Sequence, residues 1–111
     1  MARAVAVGGD PFDALGNPHR RAIVDLLAKR PRSVREIAES LPISRPAVSR
    51  HLRLLSEAGL VVDEPVGTQR LYRLQENGVR AVHAYLNRVW GDAASRFRLF
   101  AENTAPRGRR R

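Results

Sequence analysis

Residues 33–74 have the sequence SVREIAESLPISRPAVSRHLRLLSEAGLVVDEPVGTQRLYRL, and most of the fold can be inferred from them. Ser33 followed by Glu36 has the spacing of a capping box, which predicts the start of a short helix. One face of that helix is apolar, because apolar residues recur at helical spacing at Val34, Ile37, Ala38 and Leu41. Pro42 then ends the helix. Ser44, with Pro46 in the following turn, predicts the start of a second helix.

The second helix is predicted to run from Arg45 to Ala58, with Gly59 as its C-cap. Its apolar positions, expected to face the core, are Val48, Leu52 and Leu55. The opposite face carries Arg45, Ser49, Arg50 and Arg53, and no acidic residue occurs between positions 40 and 56. A solvated helix usually mixes signs of charge to gain pairing across a turn. Uniform positive charge therefore favours a face that phosphates neutralise over a plain solvated face.

A two-stranded hairpin is predicted after this helix. Residues 60–62 and 69–74 have strand-forming sequences, and residues 65–68 lie between them with Gly67 available for a turn. Arg70 follows the tip, where an arginine can lie along a DNA backbone or enter a narrow minor groove. The alternative is a plain surface hairpin, since Asp63 and Glu64 at its base weaken the positive field. Helix, turn, helix and hairpin in this order predict a winged helix-turn-helix.

The sequence resembles the ArsR family of bacterial winged-helix repressors from about residue 10 to residue 100. The resemblance is carried by Ser44, by VSRHL at 48–52, by Leu55, by EAGLV at 57–61, by Gly67, by LYRL at 71–74 and by NPHRR at 17–21. It implies a mainly α fold with a small β-hairpin wing, dimerised through its first and last helices. It also implies a subgroup of repressors, often autorepressors, without metal-ligand cysteines.

The flanks of the chain are predicted to form the dimer interface. A first short helix is expected after Asp10 or Asp13, and a last long helix is expected from Asn77. Apolar residues follow one another along that last helix at three- and four-residue steps over about six turns, which is more than one small domain needs. The alternative is that this seam packs only within its own domain. The residues predicted at the interface are Phe12, Leu15, Val82, Leu86, Val89, Trp90, Ala93, Phe97 and Phe100.

Length and composition fit one basic domain. The 111 residues carry 20 basic and 11 acidic side chains, a net charge of +9, and no cysteine. We expect a flexible tail at residues 1–9, a DNA-binding and dimerisation domain at 10–102 and a disordered basic tail at 103–111. No apolar run is long enough to span a bilayer and no leader is evident, so we expect a cytoplasmic protein without a membrane partner.

No cofactor, metal site or catalytic set is predicted. The resemblance implies two places where relatives bind metals. The first corresponds to residues 41–45, which contain no cysteine, and the second is represented by His83, with Asp92 and Glu102 poorly spaced for zinc. The other two histidines, His19 and His51, are not placed as a ligand pair. No nucleophile, phosphate-binding glycine loop or carboxylate pair indicates an enzyme.

The leading hypothesis is a homodimeric repressor that binds double-stranded DNA at an imperfect palindrome, with an effector, small molecule or protein, left unidentified. The residues predicted to contact DNA are Ser44, Arg45, Pro46, Ser49, Arg50, Arg53, Thr68, Gln69 and Arg70. The alternatives are a metal-responsive sensor with unusual ligands, a winged-helix module that binds protein, and a non-specific RNA or nucleoid protein.

Overall fold

The computed structural model describes residues 9–91, 93, 96–98, 100 and 101. Its elements are α1 (Pro11–Ala14), α2 (Pro18–Lys29), α3 (Val34–Ser40), α4 (Arg45–Glu57), β1 (Val61–Val66), β2 (Gln69–Leu74) and α5 (Glu76–Leu86), followed by a π-helical turn at Asn87–Gly91. The predicted tails at 1–9 and 103–111 lie outside the described residues, apart from Gly9. Two compact units can be distinguished, one ending at Arg80 and the next beginning at Ala81.

The helix starts predicted at residues 10, 33 and 44 are confirmed in the first unit. Asp10 caps α1 by accepting from the Phe12 N–H, and Asn17 caps α2 ahead of a proline in the first turn. Ser33 and Glu36 form both hydrogen bonds of the capping box that opens α3. Ser44 accepts from the Ala47 N–H at the start of α4. These local bonds satisfy backbone donors that a helix cannot satisfy by itself.

The core of the first unit is built around α4. This helix packs against α1, α2, α3 and β1, while β2 packs against α2 and α3. The predicted apolar face is confirmed, because Val48, Leu52 and Leu55 are essentially inaccessible to solvent. The other buried apolar side chains are those of Ala14, Ile23, Leu27, Ile37, Ala58, Leu60 and Val61. A helix buried on one stripe and exposed on the other can present its polar stripe to a partner.

The end of α4 differs by one residue from the prediction. The helix ends at Glu57, Ala58 is its C-cap, and Gly59 follows with a φ of 78°. A left-handed residue directly after the cap is where glycine is favoured, since a side chain there would be strained. Gly59 therefore turns the chain from α4 towards β1.

The hairpin is longer than predicted on its first side. β1 and β2 pair antiparallel from Val61 opposite Leu74 to Val66 opposite Gln69, so Gly67 and Thr68 alone form the turn. Gly67 has a φ of 64°. Residues 65 and 66, predicted as turn residues, belong to β1. A proline at 65 is tolerated because β1 is an edge strand. The second strand has the predicted bounds.

The prediction that Asn77 caps the last helix is wrong. α5 begins at Glu76, and the Val79 N–H donates to the Gln75 carbonyl oxygen, which places Asn77 inside the first turn. The Gln75 N–H donates to the Leu60 carbonyl oxygen at 2.8 Å. This contact with the segment between α4 and β1 fixes where α5 starts, and local capping preference does not decide it. Within the described residues, no helix is long and apolar enough to cross a membrane.

Candidate nucleic-acid interface

The outer face of α4 is exposed and basic. All six residues that were predicted on or beside this helix to contact DNA are solvent-exposed: Ser44, Arg45, Pro46, Ser49, Arg50 and Arg53. Among the residues that the structure describes, Arg45, Arg50 and Arg53 take part in no ion pair, whereas Arg30, Arg35, Arg70 and Arg80 each pair with a carboxylate. The three guanidinium groups of α4 thus remain available to an external anion.

The wing residues are also exposed, but one of them already has a partner. Thr68 and Gln69 lie at the tip of the hairpin and are open to solvent. Arg70 donates from Nη1 to Asp63 Oδ2 at 2.7 Å across the strand pair. The predicted weakening of the wing's positive field by Asp63 therefore takes the form of a direct ion pair. Exposed pairs of this kind are worth little to stability, so a phosphate can compete for the same arginine.

A cleft is lined by residues from the start of α4 and from the wing. Its volume is about 440 Å³, and it is lined by Ser33, Val34, Arg35, Arg45, Thr68, Gln69, Arg70 and Tyr72. Four of the predicted DNA-contacting residues, Arg45 of α4 and the three wing residues, therefore share one concave surface. The others on α4 do not line this cleft.

Sequence reasoning missed Arg35 and Tyr72 as members of this surface. Arg32 and Tyr72 form an antiparallel bridge through two backbone hydrogen bonds, 3.0 and 2.8 Å long, which ties the segment before α3 to the wing. The bridge joins residues forty positions apart, so no local sequence pattern predicts it. The only local sign was that Arg35 lies on the polar side of the short helix α3.

The phenol of Tyr72 is a neutral donor at physiological pH. Its pKa is raised above the usual value of 10.0, first because the side chain is partly buried and second because Asp63 lies nearby. A protonated phenol can donate one hydrogen bond into the cleft. The lining of the cleft therefore contains three guanidinium groups, hydroxyl groups and an amide, and none of its side chains is acidic.

His51 on α4 faces α2. Its Nδ1 lies 3.4 Å from Arg20 Nη1, and its ring centroid is 5.8 Å from that of His19. A guanidinium only donates, so this contact is a hydrogen bond in the tautomer of His51 whose Nδ1 is unprotonated and accepts. The pKa of His51 is lowered from 6.5, first by burial and then by the charges of Arg20, His19 and Arg50. His51 thus packs and hydrogen-bonds against α2.

Arg20 and Arg21, at the start of α2, have a structural role. Arg20 donates from Nε to the Ala14 carbonyl oxygen at 2.7 Å, and Arg21 donates from Nη1 to the Leu15 carbonyl oxygen at 2.8 Å. Both carbonyl groups end the short helix α1, which cannot satisfy them itself. These bonds explain why two arginines lie in a first helical turn, where the helix dipole disfavours positive charge.

The residues predicted for a dimer interface fall in both units. In the first unit Phe12 is 40% exposed and Leu15 is half-buried. In the second unit Val82 is half-buried, while Leu86, Val89, Trp90, Ala93, Phe97 and Phe100 are exposed. Trp90 at 59% and Phe97 at 71% exposure are large apolar side chains that a solvated helix seldom presents together.

The described residues contain no group of three or more histidine, cysteine, aspartate or glutamate side chains that could hold a metal ion. His83 is exposed on α5. Asp92 and Glu102, which were considered with it as ligands, lie outside the described residues. The absence of cysteine from the whole sequence removes any thiolate ligand.

Comparison with known proteins agrees with this geometry. The pattern of the family described as "Bacterial regulatory protein, arsR family" matches residues 17–62. The HTH-type transcriptional regulator Rv2034 of Mycobacterium tuberculosis is 49% identical over 79 residues, which cover 71% of this chain and 74% of that protein. The HTH-type transcriptional repressor SmtB of M. tuberculosis is 41% identical over 69 residues, or 62% of this chain and 51% of that protein.

A solved structure extends the likeness to the fold. The solution structure of the homodimeric winged helix-turn-helix DNA-binding domain Mb0332 from Mycobacterium bovis, described as a possible ArsR-family regulator, has a TM-score of 0.60. It is 30% identical, and the match covers 77% of this chain and 79% of that chain. The exposed basic face of α4, the hairpin and these relatives together place the chain in the ArsR family of winged helix-turn-helix transcriptional regulators, which bind DNA and are not enzymes.

Proposed function

We propose that the protein is a homodimeric repressor that binds an imperfect palindrome in double-stranded DNA. In this proposal the α4 helices of two protomers enter successive major grooves, about 34–36 Å apart, and the two wings lie on the flanking backbone or minor groove. The observation that carries the proposal is the exposed face of α4, whose three arginines have no acidic partner among the described residues.

The chemistry of that face fits base recognition. Arginine presents a planar fork that can donate two hydrogen bonds to O6 and N7 of guanine. Ser49, one residue before Arg50, adds a short hydroxyl that can donate or accept at a base edge or a phosphate. Val48 and Leu52 are buried on the other side of the helix, so they fix which face of α4 points outwards. We therefore assign base contacts to Arg45 and Arg50, and phosphate contacts to Arg53.

The proposed dimer rests on the exposed apolar side chains and on a related protein. The Mb0332 domain is homodimeric. In this chain α5 and the residues after it expose Leu86, Val89, Trp90 and Phe97. Burial of one such side chain contributes about 1.5–3 kcal/mol, so a twofold contact through this face would be strongly favoured. Phe12 and Leu15 of α1 are assigned to the same interface.

Titration of DNA binding tests the recognition step. We expect the protein to bind the region upstream of its own gene, with an affinity that falls as salt rises, and to bind a shuffled duplex far more weakly. Arg50→Ala should cost about 1–3 kcal/mol and relax the preference at one base pair in each half-site. Arg80→Ala is the control, because it removes the same charge from an exposed helical position outside α4 and the wing. Equal affinity for the native and shuffled duplexes would refute the proposal.

Analytical ultracentrifugation tests the dimer. Leu86→Asp places a charge on the apolar face and should produce monomers that bind a full palindrome no better than a half-site. Ala84→Asp is the control, since position 84 is also exposed but lies about 200° around the helix from position 86. If both variants remain dimeric at micromolar concentration, this face is not the interface.

A further inference from the structure

The cleft between α3 and the wing has a chemistry that base recognition by α4 does not use. Three arginines on separate elements line it: Arg35 on α3, Arg45 at the start of α4 and Arg70 on β2. Like charges that converge on one concave surface repel each other, and they are stabilised when an anion binds between them. The hydroxyl groups of Thr68 and Tyr72 lie on the same surface and can donate to such an anion.

We propose that this cleft binds one phosphate group of the DNA backbone, with Arg35 as a DNA-contacting residue in addition to those of α4 and the wing. The inference rests on the proposed function, because it requires α4 to lie in the major groove. A phosphate held between α3 and the wing would fix the wing relative to α4. Phosphate contacts of this kind set the register of a protein on the duplex and carry no sequence information.

Two of the three arginines are held by carboxylates in the free protein. Arg35 Nε lies 3.2 Å from Glu39 Oε2, one helical turn further along α3, and Arg70 Nη1 lies 2.7 Å from Asp63 Oδ2. Neither carboxylate lines the cleft. The Arg35–Glu39 pair is well exposed, with 70% and 63% of the two side chains accessible, so it competes only weakly with a phosphate. Binding of DNA would therefore turn Arg35 from Glu39 towards the backbone.

The chain offers a matched control for Arg35. Arg80 pairs with Glu76 across one turn of α5, and the side chains of that pair are 69% and 77% exposed. The two pairs have the same residue types, a one-turn spacing and a similar exposure, but only Arg35 lines the cleft. Arg35→Gln and Arg80→Gln remove the same charge from the protein, so a difference between them reports on position and not on net charge.

The experiment measures affinity for the upstream duplex as a function of salt. Arg35→Gln should weaken binding by roughly threefold to tenfold at low salt, equally on native and shuffled duplexes, because it removes a charge-assisted hydrogen bond to phosphate. The slope of log K against log salt should fall by about 0.9 for each phosphate that the protein no longer neutralises. Arg80→Gln should change neither quantity measurably. Equal effects of the two substitutions would overturn the proposal.

The carboxylates give a second, opposite test. Glu39→Gln frees Arg35 and should tighten binding by about twofold, the order expected for removal of an exposed competing pair. This gain should disappear when Arg35→Gln is also present, and Glu76→Gln should give no such gain. A gain from Glu39→Gln that persists without Arg35 would show that the carboxylate acts only through net charge, and would overturn the proposal.

Two further outcomes separate this inference from the function on which it rests. If the native duplex is still preferred over the shuffled one but Arg35 behaves like Arg80, the inference fails and the proposed function stands. If neither duplex is bound more tightly than the other, the proposed function is refuted, and the inference that rests on it is refuted with it. An effect of Arg35→Gln on the binding of inorganic phosphate, without any effect on duplex binding, would assign the cleft to a free anion and overturn the DNA assignment. Unchanged urea midpoints confirm that each variant is folded.

Discussion

Replacing Gly78 with alanine is expected to destabilise the protein, although alanine is normally the better residue within a helix. Gly78 lies in the first turn of α5, where a glycine-to-alanine exchange would ordinarily stabilise by up to ~1 kcal/mol. A Cβ at this position would overlap the Gly59 carbonyl oxygen and lie 3.3 Å from Leu60 Cα. The obstructing atoms belong to the backbone, so no side-chain rotation relieves the overlap.

The magnitude follows from three contributions. Forcing a methyl group into closely packed surroundings costs about 1–3 kcal/mol. Displacement of α5 would also lengthen the 2.8 Å hydrogen bond from the Gln75 N–H to the Leu60 carbonyl oxygen, which is worth about 1 kcal/mol. The helix-propensity gain of about 1 kcal/mol offsets this second cost. We therefore expect Gly78→Ala to lower the free energy of unfolding by about 1–3 kcal/mol.

Urea-induced unfolding followed by circular dichroism measures this change. All proteins should be compared at one concentration, because the proposed dimerisation would add to the apparent stability. Asn77→Ala is the control: it lies next to Gly78 in the same turn but is exposed, so its effect should stay within about 0.5 kcal/mol. If Gly78→Ala is as stable as the parent protein or more stable, α5 does not approach the Gly59 backbone as closely as described.

Three other predictions concern stability and protonation. Ser33→Ala removes a largely buried cap and should cost about 1–2 kcal/mol in urea unfolding. The pKa of Glu36 is lowered from 4.5, chiefly by the hydrogen bond from the Ser33 backbone. The contribution of Glu36 to the free energy of unfolding is therefore present above pH 4.5 and is lost as the pH falls through the folded-state pKa. Glu36→Gln should flatten the dependence of the free energy of unfolding on pH below about pH 5. The pKa of His51 is lowered from 6.5, so the stability contributed by its neutral form is lost as the pH falls below 6.5. An NMR titration should show this pKa rising towards 6.5 in Arg20→Gln, and an unchanged value would mean that the charge of Arg20 does not lower it.

Arg20 and Arg50 show when the role of an arginine can be predicted from its neighbours in the sequence and when it cannot. Both are arginines on polar positions of helices close to an apolar run. Arg50 is exposed without an ion pair among the described residues, as the absence of acidic neighbours predicted. Arg20 instead bonds the end of α1 and the ring of His51. The first outcome depends on neighbours within one helix, whereas the second depends on which elements pack together.

The local elements of this protein follow from short-range patterns in its sequence. Proline, serine, asparagine and aspartate set the starts of α1 to α4, and the periodicity of apolar residues set the buried face of α4, because these effects act within a few residues. Three features depend on tertiary packing: where α5 begins, how far β1 extends towards its turn, and the cleft that Arg35 and Tyr72 line together with Arg45 and Arg70. Those features depend on contacts between residues far apart in the chain, such as the bridge between Arg32 and Tyr72 and the bond from Gln75 to Leu60. Such contacts form only when the chain is folded, so they cannot be predicted from a local sequence pattern.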